Sequence, residues 1–198
     1  MHLRKELENR WFLHQYTHEE IFDLYDKGGQ RFYFWVDLSS DSMTIGNLCW
    51  LMQAFHLMKK GNVWYLLVWG ATSTIWNPSW KDTERPVLSS EQLAYNQKKI
   101  HNQIDHLTKR ASQKLQKPFD YKIINNNDFF KNFTVLDFLR DVWKYITVNW
   151  MMNKEIVKKR IQDDSQWISF AEFSYMLIMW YDFYKLYKDE NVYLQTGG

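Results

Sequence analysis

Two unbroken apolar runs, Phe32-Tyr33-Phe34-Trp35-Val36 and Val63-Trp64-Tyr65-Leu66-Leu67-Val68-Trp69, do most to limit how this chain can fold. A strand that alternates apolar and polar residues leaves one face to water, whereas a continuous aromatic and β-branched run needs cover on both faces. Between the runs, Ile45, Leu48, Cys49, Met52 and Phe55 recur at helical spacing, and Lys59-Lys60-Gly61-Asn62 supplies the cationic and left-handed signals of a helix end. Strand, amphipathic helix, strand is a βαβ unit, with parallel strands and a right-handed crossover in nearly all known proteins. The expected fold class is α/β, with a parallel Rossmann- or flavodoxin-like sheet in the N-terminal half and a mainly helical C-terminal half.

The flanking signals fill in this frame. Thr17-His18-Glu19-Glu20 has the form of a capping box and predicts a short helix that Gly28-Gly29 ends. Ser89-Ser90-Glu91-Gln92 predicts a second start, opening a helix whose apolar stripe is Leu93, Ile100, Ile104, Leu107, Ala111 and Leu115, closed by Pro118. Residues 70–88 read as an irregular, docked stretch holding Trp76, Pro78, Trp80 and Pro86. A third strand is expected over 119–124, with a turn at Asn125-Asn126-Asn127, then a helix capped by Thr134 that turns Val135, Phe138, Leu139, Val142, Ile146 and Trp150 inward. A helix over 154–161, a turn at Asp163-Asp164-Ser165, a helix from Ser169 to about Lys188 and a short strand at Val192-Tyr193-Leu194 complete the reading. The expected organisation is an α/β domain over 1–127 and a helical, winged-helix-like domain over 128–198.

Lys and Arg total 25 against 23 Asp and Glu, a net charge of +2, so no global field steers the protein to nucleic acid, which is not expected as a partner. Cys49 has no second cysteine to pair with, and its place on the inward stripe predicts a buried thiol. The N-terminus mixes charges and lacks the apolar core of a secretory signal. The most apolar stretch, 173–187, is too short to span a bilayer and contains Asp182 and Lys185. A cytoplasmic protein with no membrane contact is expected, and helix 169–188, apolar nearly all round, is a candidate seam for a homodimer.

In an open parallel sheet, ligands sit outside the carboxyl ends of the strands. That places Asp37, Ser39, Asp41 and Ser42 after the first strand, and Thr72 and Ser73 after the second, as candidate ligand-binding residues. Asp37-Leu38-Ser39-Ser40-Asp41-Ser42 also resembles in part the metal-binding Asp-x-Ser-x-Ser of von Willebrand type A domains, departing at the third ligand position; no metal site is assigned on it. His14 with His18 and His101 with His106 read as surface histidines. The helix over 90–117 carries Lys98, Lys99, Lys109, Arg110, Lys114 and Lys117 against Glu91 and Asp105, and most such faces are only solvated.

The order of elements, from the strand at 32–36 through the helix opening Leu88-Ser89-Ser90-Glu91-Gln92-Leu93-Ala94, resembles a bacterial family catalogued only as a domain of unknown function. The resemblance implies a parallel α/β half before a helical half and brings no activity with it. The expected function is a small-molecule binding or sensing module, its ligand at the strand ends ordering a loop at Trp76 to Trp80. The alternatives are a metal-dependent hydrolase or transferase using Asp37 or Asp41, and a nucleic-acid or protein interaction module using the basic helix.

Overall fold

The computed structural model describes residues 2–75, 88–154, 157–158, 161 and 168–197. Two short helices, α1 (Leu3–Asn9) and α2 (Glu20–Lys27), precede strand β1 (Arg31–Val36), helix α3 (Ile45–Lys59) and strand β2 (Val63–Val68). Then come α4 (Gly70–Ile75), α5 (Ser90–Leu115), β3 (Tyr121–Asn125), α6 (Asn127–Phe130), α7 (Val135–Asp141), a 3-10 turn (Trp143–Tyr145) and α8 (Val148–Met152). Helix α9 (Phe170–Glu190) and strand β4 (Leu194–Gln195) follow. Among the described residues the sheet has four strands in the order β3-β2-β1-β4, and every neighbouring pair is parallel. The α/β class and the βαβ unit read from the two apolar runs are therefore what the chain forms.

Both faces of the sheet are covered, which is why its central strands are apolar throughout. Phe32, Phe34, Val36, Trp64, Leu66 and Val68 point to one face, where α1, α2, α3 and α5 bring Leu3, Phe22, Leu51, Met58, Ile100 and Ile104 into one core. Tyr33, Tyr65 and Leu67 point to the other, against Leu186 and Met179 of α9. Helix α9 also packs Leu177 and Tyr181 onto Val142 and Met151 in a third cluster, so it serves two cores, while Phe170, Phe183, Tyr184 and Tyr187 stay exposed. No described helix is long and apolar enough to cross a membrane.

The turn into β1 needs glycine: Gly28 has φ 76°, and a Cβ there would lie 2.6 Å from the Lys60 carbonyl oxygen. Asn62 closes the same end of the sheet, accepting from the Gln30 amide at 3.0 Å and donating to the Tyr25 and Leu57 carbonyls. Ser89 caps α5 as expected, its hydroxyl accepting from the Gln92 amide at 3.2 Å.

Several expectations are corrected. Helix α2 begins at Glu20, three residues past Thr17, with no side-chain cap. Gly70–Ile75 is helical rather than irregular, because Asn126 accepts from the Ala71 amide and so supplies the cap that no residue of the segment itself provides. Asn125 ends β3, and Asn127 already opens α6. The helix read through Val135 and Trp150 is broken at the 3-10 turn, which leaves Val135 and Trp150 exposed while Val142 is buried. Cys49 is exposed, with Ile45, Leu48 and Met52, because the face of α3 turned to the core is the one that carries Trp50, Leu51, Ala54, Phe55 and Met58. The last strand sits at Leu194–Gln195. The loop at Trp76 to Trp80 with Pro86, half of the helix over 154–161 and the turn at 163–165 lie outside the described residues.

Candidate functional site

With strand order β3-β2-β1-β4, the chain winds outward from β1 through β2 to β3 and returns to the other side of β1 at β4. The crevice at such a reversal, outside the carboxyl end of β1, is where doubly wound sheets bind ligands. A pocket of about 370 Å³ opens there, lined among others by Phe34, Trp35, Asp37, Ser39, Thr44 and Trp50. The ring of Trp50 stacks on Phe34 at 3.7 Å between centroids, which gives the pocket a flat aromatic wall. Opposite it, Asp37 accepts from the Ser39 amide at 3.0 Å and from the Ser39 hydroxyl, which fixes the loop leaving β1. Thr44, also in the lining, caps α3, its backbone amide donating to the Asn47 side chain at 2.8 Å.

A second polar constellation lies on the α9 face. Asn126 is fully buried at the end of β3; its amide donates to the Val68 carbonyl, its side-chain oxygen accepts from Ala71 at 2.8 Å, and its side-chain nitrogen donates to Thr72 Oγ1 at 3.0 Å and to Asp182 Oδ2 at 3.1 Å. Gly70 makes this junction possible, since a Cβ there would collide with the Asn125 side chain. Asp182, on α9, is 1% exposed, and its Oδ1 has no hydrogen-bond partner. Burial pushes its carboxyl up to about 8, with the Asn126 hydrogen bond pulling the other way. Tyr33 is raised as well, first by burial and then by the nearby Asp182 charge. Asp182 is thus a buried carboxyl with one oxygen held by Asn126 and the other unpartnered, beside Tyr33.

Of the residues read from the sequence, Asp37, Ser39 and Ser42 line the pocket. Asp41 is exposed and is not among the lining residues. Thr72 and Ser73 are buried and face inward: Thr72 toward Asn126, and Ser73 toward the Leu38 amide, from which its hydroxyl accepts at 3.4 Å. No group of three or more His, Cys, Asp or Glu converges among the described residues. Sequence reasoning missed Asp182 and Asn126, although an ionisable residue inside the most apolar stretch of the chain was the available signal.

A model of the family described as tRNA synthetases class I (W and Y) matches residues 27–198. The tyrosine–tRNA ligase of Streptococcus agalactiae is 38% identical over 201 residues, covering 100% of this chain and 46% of that protein. That of Flavobacterium johnsoniae is 42% identical over 166 residues, covering 84% and 38%. The chain thus spans about half the length of the curated relatives it matches, or less. Among solved structures, a C-terminally truncated Aspergillus nidulans mitochondrial tyrosyl-tRNA synthetase superposes with a TM-score of 0.84 at 26% identity, over 99% of this chain and 56% of that one.

These matches overturn several expectations. The family of unknown function is replaced, because element order alone is shared by many α/β families and carries no chemistry. A sensing module, a hydrolase or transferase built on Asp37 and Asp41, and an interaction module built on the basic helix all give way to a family of ligases. The exclusion of nucleic acid fails with them, since the relatives are named for a tRNA substrate and a net charge near zero does not speak to local patches.

Proposed function

We propose that this chain, which belongs to the class I tRNA synthetases of the W and Y type, supplies the tyrosine-recognising half of a tyrosine–tRNA ligase. The observation that carries the reading is the buried Asp182 with its unpartnered Oδ1 beside Tyr33. A phenol hydroxyl reaching that oxygen completes its hydrogen bonding, whereas a phenyl ring leaves it bare in a dry site. Asn126 and Thr72 act through Asp182, holding its other oxygen in place. The amino and carboxylate ends of the substrate then lie toward the pocket outside β1, with Asp37, Ser39 and Ser42 as the contact residues there. Joining a carboxylate to a tRNA hydroxyl requires its activation, and the hydroxyls and flat Trp50 wall of that pocket suit the sugar and base of ATP. ATP and tRNA are the co-substrates in this reading, and a cytoplasmic setting fits it.

Calorimetric titration with L-tyrosine and L-phenylalanine tests the assignment. Tyrosine is expected to bind at least tenfold more tightly, and Asp182→Asn to abolish that preference. Equal affinities for the two amino acids, or a preference that survives in Asp182→Asn, overturn the assignment.

A further inference from the structure

The way from the pocket to Asp182 is occupied. Trp35, at the carboxyl end of β1, lines the pocket on one side and on the other lies flat on Trp69, with ring centroids 3.8 Å apart and planes 4° from parallel. Trp69, at the end of β2, is 3% exposed and belongs to the same buried cluster as Tyr33. Tyr33 precedes Trp35 by two residues and so shares its side of β1, which is the side that faces α9 and Asp182. The indole pair therefore stands between an open, hydroxyl-lined pocket and a sealed carboxyl that is one partner short. An aromatic ring already fills the space through which an aromatic side chain has to pass.

We propose that the Trp35–Trp69 stack is a gate on the amino-acid site: stacked, it keeps Asp182 apart from the pocket, and an aromatic amino acid binds only when the indoles separate. The proposal rests on the tyrosine reading above. Trp35 is in this sense a specificity-determining residue, since the width of the opened gap decides which side chains pass. A site whose competent state is populated only in part binds with its affinity reduced by that fraction. Offset and parallel aromatic pairs hold a closed state by roughly three- to tenfold.

The test is a tyrosine titration of the wild type, Trp35→Ala, Trp35→Phe and the Trp35→Ala, Asp182→Asn double variant, with the exciton couplet of the stacked indoles followed by circular dichroism. Trp35→Ala is expected to lose the couplet and to bind both tyrosine and phenylalanine about tenfold more tightly than the wild type. Trp35→Phe, which keeps a ring in the gap, should stay near wild type, and the double variant should keep the gain while losing the preference for tyrosine. Equal affinity of wild type and Trp35→Ala overturns the gate and leaves the tyrosine reading standing. Tighter binding in Trp35→Ala with no preference for tyrosine over phenylalanine overturns the reading of Asp182 and leaves the gate. Binding in neither protein overturns both. If Trp35→Ala fails to fold, the wild type alone decides: its couplet must fade in proportion to bound tyrosine, and a couplet unchanged at saturation overturns the gate.

Discussion

The two faces of the sheet are built from the same two central strands, β1 and β2, yet differ in what they bury. On the α3 and α5 face, Phe32, Phe34, Trp64 and Leu66 join the larger cluster, which extends through α1 and α2, and Asn62, Asn96 and Thr108 are buried around it, with Tyr25 Oη and Trp64 Nε1 lacking a hydrogen-bond partner. On the α9 face, the cluster is smaller and borders Asp182, Asn126 and Thr72, polar groups that burial makes costly unless each is paired. The first face carries the larger part of the apolar core; the second holds a buried carboxyl with one oxygen unpartnered. Along β1 and β2, even positions thus enter the larger core and odd ones the cluster beside Asp182.

Substitutions can break this contrast. Trp64→Ala, at the centre of the apolar face, should cost about 4 kcal/mol in denaturant unfolding, since it leaves a cavity that rigid neighbours fill poorly. Trp35→Ala, at the half-buried rim of the other face, should cost no more than about 2 kcal/mol; equal losses at the two tryptophans would mean that the faces do not differ. Asn126→Ala strands the Ala71 amide, the Thr72 hydroxyl and Asp182 Oδ2 together, and should cost about 3 kcal/mol while leaving the apolar face intact by near-ultraviolet signals.

The smallest effect sharpens the contrast through pH. Because burial raises Asp182 from the ordinary 3.8 to about 8, the folded state keeps a proton that the unfolded chain releases. Its contribution to stability is complete below about pH 4 and is lost as pH rises through 8. Asp182→Asn cannot ionise, so its stability relative to the wild type should rise steadily as pH climbs from 4 to 9. A constant difference across that range would place the carboxyl in a wetter setting than the structure gives it.

The stabilising face was legible in the sequence, and the recognising one much less so. The continuous runs at 32–36 and 63–69 announce strands covered on both sides, and Ser89 announces α5, because these signals act over a few neighbouring residues. Helical spacing marked Ile45, Leu48, Cys49 and Met52 as inward, yet in a helix apolar on several sides periodicity cannot tell which stripe faces the sheet, and it is that of Trp50, Leu51 and Ala54. The strand-end rule found the pocket at Asp37 and Ser39. It missed Asp182 because that residue reaches the site from a helix about 150 residues downstream, and only the packing of α9 brings it there.

Strand β4 adds a matter of timing. Phe32 pairs with Leu194 and Tyr33 with Gln195, so one edge of β1 waits for a partner about 160 residues later in the chain. At ribosomal rates of roughly 5–20 residues per second, that edge stays open for roughly 8–30 s of synthesis. A nascent chain therefore carries an unpaired, aromatic strand margin until β4 is made, and chaperone occupancy of the ribosome-bound intermediate should track that interval.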